Sequence, residues 1–320
     1  MLLSTATNDF LEHLQVEKNR SPRTIVAYRF YLERFAQWLK KDIEVGDITA
    51  EQIRKYRVYL YTYLDGYNEP LTLKTQTYYV IGLRSLFRYI VKRGIPCLSP
   101  DQIELPKLEP RELSYLTPEE LENILQQPDT STMTGLRDRA IIELLFSTGL
   151  RVSELASLDK RMLNTNTGEM RVVGKGRKER IVFISERAKE WLDKYFSRRV
   201  DENDAAFVGY RGKGVGDDPS PKVQLQASRL TPRSVDRIIQ KHSGAAGIVK
   251  NITPHSLRHS FATDLLLNGA DIRSVQTLLG HASITTTQIY THITNQQLHE
   301  VHERFHGKKL EEIEHKNTPE

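Results

Sequence analysis

Thr253-Pro-His-Ser-Leu-Arg-His-Ser-Phe-Ala-Thr263 is the stretch around which the rest of the chain can be ordered. Threonine followed by proline opens a helix, with Thr253 as N-cap and Pro254 in the first turn. Counting from His255, Arg258 is three positions on and His259 four, so all three lie near one face of the first turns. Phe261, Leu265 and Leu266 fall on the far side, and Asn268-Gly269 ends the helix. Asp271 caps a second helix, which buries Ile272, Val275, Leu278 and Leu279 and stops at Gly280-His281. Ser283 caps a third, carrying Ile284, Ile289 and Tyr290, and a last helix runs from about Asn295 into a polar tail, Lys308 to Glu320. Histidines, an arginine and a tyrosine are thus strung along helical sequence without an aspartate-rich metal box. Such a set suits holding a phosphodiester with cations while a tyrosine attacks it.

Working back from this stretch, Thr231-Pro232 starts a helix through Val235, Ile238 and Ile239 that Gly244 ends. Residues 201–230 are rich in glycine, proline and polar side chains and read as a long surface loop, with at most a short strand at Ala206-Phe-Val208. Ser185 begins a helix with Ala188, Trp191, Leu192 and Tyr195 inward. Before it, Met170, Val172 and Val173 run towards Gly174-Lys-Gly-Arg-Lys178, and Arg180 to Ile184 return, which predicts a hairpin. Its tip is read as strongly basic: Lys175, Arg177, Lys178 and Arg180. The Gly-x-x-x-x-Gly-Lys-Ser/Thr spacing of a nucleotide loop is missing. Thr117-Pro-Glu-Glu120 starts one further helix, and another runs from about Gly135 through Leu136, Ile141, Leu144, Leu145 and Phe146 to Gly149. Arg151 then sits at a break between helices, where a side chain can be aimed at a ligand, with Glu154 within its reach.

Four prolines between Gly94 and Thr117 (Pro96, Pro100, Pro106 and Pro110) discourage regular structure and place a linker near Leu108 to Glu112. Two domains are expected, 1–108 and 109–320, and a linker of this kind lets them close around a rod such as duplex DNA. The first is a helical bundle. Ser21-Pro22 opens a helix with Ile25, Tyr28, Leu32, Phe35 and Leu39 on one face; Thr49 and Gln52 form a capping box for Ile53, Tyr56 and Leu60. A third helix, from about Leu73 to Arg93, carries Val80, Leu83, Phe87 and Ile90 inward, and Leu11 and Leu14 suggest a short leading helix. Arg84, Arg88 and Lys92 stand four apart and make one basic ridge. Lys74, at the start of that helix, joins them as a phosphate contact.

With 320 residues, 38% of them hydrophobic, each domain can hold its own core. A formal charge of +5 permits an anionic partner without proving one. The single cysteine, Cys97, excludes an internal disulfide and a cysteine zinc cluster. The start of the chain lacks a signal-peptide pattern, and no apolar run is long enough to span a bilayer, so a soluble cytoplasmic protein is expected. His255 and His259 have metal-ligand spacing, but no carboxylate stands between them where a zinc hydrolase needs its base. His299, His302 and His306 read as a solvated or packed stripe. Serine hydrolase chemistry lacks its Gly-x-Ser-x-Gly turn. Phosphoryl transfer fits: Arg151 and Arg258 can clamp phosphate oxygens bidentately, and Tyr290 is the candidate nucleophile.

The order Arg151, Lys175, His255-x-x-Arg258, His281, Tyr290 resembles the tyrosine recombinase (phage integrase) family. The local strings do too: Thr148-Gly-Leu-Arg-Val-Ser-Glu-Leu155, Gly174-Lys-Gly-Arg-Lys-Glu-Arg180, Leu279-Gly-His281 and Tyr290-Thr-His292. The compact layout resembles the Xer type. The resemblance implies a mainly α fold with a small β-hairpin, in which a helical core-binding domain and a catalytic domain form a C-shaped clamp on DNA. It implies that Tyr290 attacks the scissile phosphate, giving a 3′-phosphotyrosyl link and a free 5′-hydroxyl. Arg151 and Arg258 hold the phosphate, Lys175 protonates the leaving oxygen, His255 acts as base on the tyrosine, His281 bonds a phosphate oxygen, and Glu154 buttresses Arg151. Arg84, Arg88, Lys74, Arg177 and Lys178 are the expected DNA contacts. No cofactor and no metal are implied. The implied partners are double-stranded DNA with an inverted-repeat site and a tetramer on two such sites, of one recombinase or of two, exchanging strands through a Holliday junction. Chromosome dimer resolution and mobile-element integration stand equally open, and the protein is expected at the nucleoid in the cytoplasm. The tail from Lys308 is a candidate for docking on a neighbouring subunit. Two other readings keep the same residues: a type IB topoisomerase-like enzyme, and a non-catalytic DNA-binding protein.

Overall fold

The structure, a computed structural model, describes residues 1–106, 115–174, 179–211 and 226–280, and the chain divides into two compact units, Met1–Arg111 and Glu112–Glu320. The first unit is all helical. Its elements are α1 (Leu3–Val16), α2 (Pro22–Leu39), α3 (Ala50–Thr62) and α4 (Leu73–Lys92). α1 begins at Leu3, well ahead of Leu11 and Leu14, because Leu3, Ala6 and Phe10 extend the same buried stripe. Ser21, Thr49 and Thr72 cap the other three helices, each hydroxyl accepting from an amide three residues on. Gln52 completes the capping box by accepting from the Thr49 amide at 2.7 Å. Phe35, Tyr56, Leu83, Leu86, Phe87 and Ile90 are fully buried between these helices. Removing each of the leucine, isoleucine and phenylalanine side chains from water contributes about 1.5–3 kcal/mol. Gly82 lets α4 approach α2 closely: a Cβ there would stand 3.0 Å from the Tyr31 Cβ.

The second unit is built around two helices with almost no exposed face. In chain order it contains α5 (Pro118–Gln126), α6 (Met133–Thr148), α7 (Val152–Ser157), β1 (Glu169–Val173), β2 (Glu179–Phe183), α8 (Glu186–Arg198), β3 (Val208–Arg211), β4 (Gln226–Arg229), α9 (Pro232–Ala245), α10 (Pro254–Leu267) and α11 (Ile272–Leu279). α6 and α10 are the enclosed pair, each buried around most of its circumference. The charges that α6 takes into the core are all paired. Glu143 accepts from Arg139 at 2.9 Å and Arg187 at 2.7 Å, and Asp138 meets Arg137 at 2.6 Å and His242 at 3.0 Å. Burial of charge without such partners costs several kcal/mol.

The sheets are two antiparallel hairpins, β1–β2 and β3–β4. The second corrects the reading of 201–230 as a loop with at most a strand at 206–208. Ala205, Ala206 and Phe207 are buried but lie outside the strand; pairing begins at Val208, opposite Arg229, and runs to Arg211 opposite Gln226. A strand whose partner lies so far along a polar stretch leaves no local pairing signal. α9 runs one residue past Gly244, and the left-handed turn after it is made by Gly247 at φ 71°. Among the described residues, no helix is long and apolar enough to cross a membrane.

Candidate active site

Two chain breaks converge on one place in the second unit. α6 ends at Gly149, whose left-handed φ of 58° turns the chain out of the helix. Two residues later Arg151 is the N-cap of α7, and the third residue of that helix turn, Glu154, reaches back to accept from the Arg151 amide at 2.9 Å. α11 ends at Gly280, also left-handed at φ 62°. These two ends leave carbonyls unpaired by their own helices, and each is the negative end of a helix dipole. Cations meet them. Arg258, from α10, donates to the carbonyls of Gly149 and Leu279, and Arg151 donates to the carbonyl of Gly280 at 3.3 Å.

Arg151 and Arg258, far apart in the chain, are thereby fixed on the same pair of turns. Their exposures differ: the Arg151 side chain is 33% exposed, whereas Arg258 is 2% exposed with its donors turned on the two carbonyls. Glu154 is buried beneath Arg151 and accepts from its guanidinium at 2.9 Å. The Arg151–Glu154 pair is therefore present, with its carboxylate buried and its guanidinium one-third exposed.

A second guanidinium shares that carboxylate. Arg180 binds both Glu154 oxygens, at 2.9 and 2.7 Å, and donates through Nε to the Leu278 carbonyl at 3.0 Å. This corrects its assignment to the basic hairpin tip. In the β1–β2 register Arg180 faces Val172, and Val182 faces Met170. Period-two alternation puts Arg180 on the inner face with those buried residues, and its side chain is 8% exposed. The alternation Arg180-x-Val182 was the signal in the sequence. Burial by itself raises the Glu154 pKa, but the bonds from Arg180, then from the Arg151 amide and guanidinium, outweigh it and hold the carboxyl at about 2.

His255 and His259 lie on adjacent turns of α10 with ring centroids 4.3 Å apart, edge to face. His255 is exposed and His259 buried, so the shared face of the sequence reading divides into an outer histidine and an inner arginine and histidine. Thr253 caps this helix, accepting from the Ser256 amide, and Ser256 returns a bond to the Thr253 amide at 3.2 Å. Lys175, Arg177, Lys178, His281 and Tyr290 lie outside the described residues, as do His299, His302, His306, the polar tail and the centre of the proposed linker. Among the described residues, no group of three or more His, Cys, Asp or Glu side chains is placed to hold a metal. In the first unit Lys74, Arg88 and Lys92 are exposed, whereas Arg84 is 28% exposed and paired with Asp101 at 3.3 Å.

Residues 114–297 match the profile described as phage integrase family, and residues 7–94 match that described as phage integrase, N-terminal SAM-like domain. The chain is 38% identical over 308 residues to Tyrosine recombinase XerD of Listeria monocytogenes serotype 4b (strain F2365), covering 94% of this chain and 98% of the relative. It is 37% identical to Tyrosine recombinase XerC of Pelobacter propionicus (strain DSM 2379 / NBRC 103807 / OttBd1), covering 93% and 94%. A crystal structure of XerH site-specific recombinase bound to palindromic difH substrate, a post-cleavage complex, aligns at TM-score 0.65 and 26% identity, over 92% of this chain and 83% of that one.

Proposed function

The chain belongs to the phage integrase family and is a site-specific tyrosine recombinase, and from that premise we propose how its residues divide the work. The observation that supports the assignment most directly is the fixing of Arg151 and Arg258 on the paired turns at Gly149 and Leu279–Gly280. A cationic floor held by helix ends and a buried carboxylate is preorganised for the charge that develops on a phosphate under attack. Arg151, the more exposed of the two, meets the non-bridging oxygens first, and Arg258 joins it from the same pair of turns. Tyr290 attacks the phosphorus; the P–O5′ bond breaks, a 3′-phosphotyrosyl link forms, and the departing 5′-oxygen takes a proton from Lys175. His255 accepts the tyrosine proton, and His281 bonds a phosphate oxygen. The reverse attack by another strand's 5′-hydroxyl rejoins DNA without an external energy source. The helical unit, through Lys74, Arg88 and Lys92, and Arg177 and Lys178 of the second unit hold the duplex by its phosphates. The working assembly is a tetramer on two inverted-repeat sites, acting on DNA in the cytoplasm.

The test is covalent trapping on fragmented genomic DNA followed by denaturation in detergent. Wild-type protein is expected to carry DNA through that treatment, and Tyr290→Phe to carry none. Adducts that persist in Tyr290→Phe sink the assignment of the nucleophile. Relaxation of supercoiled DNA without site preference turns the reading towards a topoisomerase.

A further inference from the structure

Glu154 touches two guanidiniums, and only one of them faces outward. A lone Arg151–Glu154 pair carries no net charge, so a phosphate approaching it meets a cation already neutralised by a carboxylate bonded to it at 2.9 Å. With Arg180 bonded to both Glu154 oxygens, the trio carries one net positive charge. Arg180 is itself buried and anchored to the Leu278 carbonyl, which leaves the surplus on Arg151. We propose that Arg180 is a positioning residue that takes up the charge of Glu154 so that Arg151 presents its full cation to the scissile phosphate. The same bonds join β2, the strand that follows Lys175 in the chain, to the turns that hold both arginines. The inference rests on the recombinase reading.

The separating feature is charge balance. Deleting Arg180 leaves Glu154 to neutralise Arg151; deleting the Glu154 charge as well restores the surplus. A purely architectural role predicts the opposite order, because Glu154→Gln also turns one of the two acceptor oxygens that serve the Arg151 amide and guanidinium into a donor. Covalent cleavage of a labelled recombination-site duplex is measured for wild type, Arg180→Gln, Arg180→Lys and the double change Arg180→Gln with Glu154→Gln. Each is checked for native circular dichroism and melting.

Arg180→Gln is expected to cleave about a hundredfold more slowly, in the range set by removing one donor from a charge-stabilising site. Arg180→Lys, which keeps the charge, is expected within about tenfold of wild type on the same scale. The double variant is expected to be faster than Arg180→Gln alone. A duplex whose scissile phosphate is a neutral methylphosphonate should shrink the Arg180→Gln deficit, since less cation is needed there. A folded but inactive Arg180→Lys, or a double variant slower than the single one, overturns the role of Arg180. Should Arg180→Gln not fold, the lysine variant carries the test by itself. Wild-type protein that forms no adduct removes the recombinase reading and this inference with it.

Discussion

Glu154 is a carboxylate withdrawn from water and kept ionised by two arginines, and the sign of its effect on stability follows from that. Its folded pKa, about 2, lies below the ordinary value of 4.5. A group depressed on folding contributes stability that is present above the unfolded value and is lost as pH falls towards the folded one. The contribution is of order 3 kcal/mol, at about 1.4 kcal/mol for each tenfold change in proton affinity, and its window lies between about pH 4.5 and pH 2. Urea unfolding at a series of pH values should therefore show a shallower acid slope in Glu154→Gln than in wild type. Parallel slopes would mean that the carboxyl is not held ionised by Arg180 and Arg151.

Helix ends decide the next scale, because both arginines bind where helices stop. Gly149 turns left-handed beneath Phe261, and a Cβ there would lie 2.5 Å from the Phe261 Cδ1. Gly94, which ends α4, has φ 73° but open space around it. The two glycines separate two costs. Gly94→Ala meets the backbone strain alone, about 1 kcal/mol. Gly149→Ala adds the clash, about 1–3 kcal/mol more, and shifts the carbonyl that accepts from Arg258. Thermal melts should show the larger fall in Gly149→Ala, with a loss of DNA cleavage that Gly94→Ala does not share. Equal melting losses would show that α10 yields to the added methyl.

At the scale of the whole molecule, each unit buries hydrophobic clusters of its own. On the first unit the exposed cations of α4 and its start are Lys74, Arg88 and Lys92, while Arg84 is engaged by Asp101. Each phosphate contact removed lowers the slope of log affinity against log salt by about 0.9. Arg88→Ala with Lys92→Ala is expected to flatten that slope by nearly two such steps, and Arg84→Ala by less than one. A slope untouched by the double change would move the DNA contact to another face. Helical boundaries were legible here because caps and stops are local: Ser21, Thr49, Thr117 and Thr253 announce their helices within three residues. The β3–β4 pairing was not, since its signal lies between residues rather than within a window.

By itself the sequence determined the two-unit helical plan, the β1–β2 hairpin and the family to which Arg151, His255 and Arg258 belong, because periodicity, caps and motif order are written in neighbouring residues. Only the tertiary structure decided which of those cations is open and which is enclosed. It left Arg151 partly exposed, buried Arg258 on the carbonyls of Gly149 and Leu279, and moved Arg180 from the hairpin tip to Glu154. The physical reason is that burial and ion pairing depend on which helix ends and strand faces meet. Those meetings join residues 21 to 129 positions apart, a range over which no pattern of residue types carries the information.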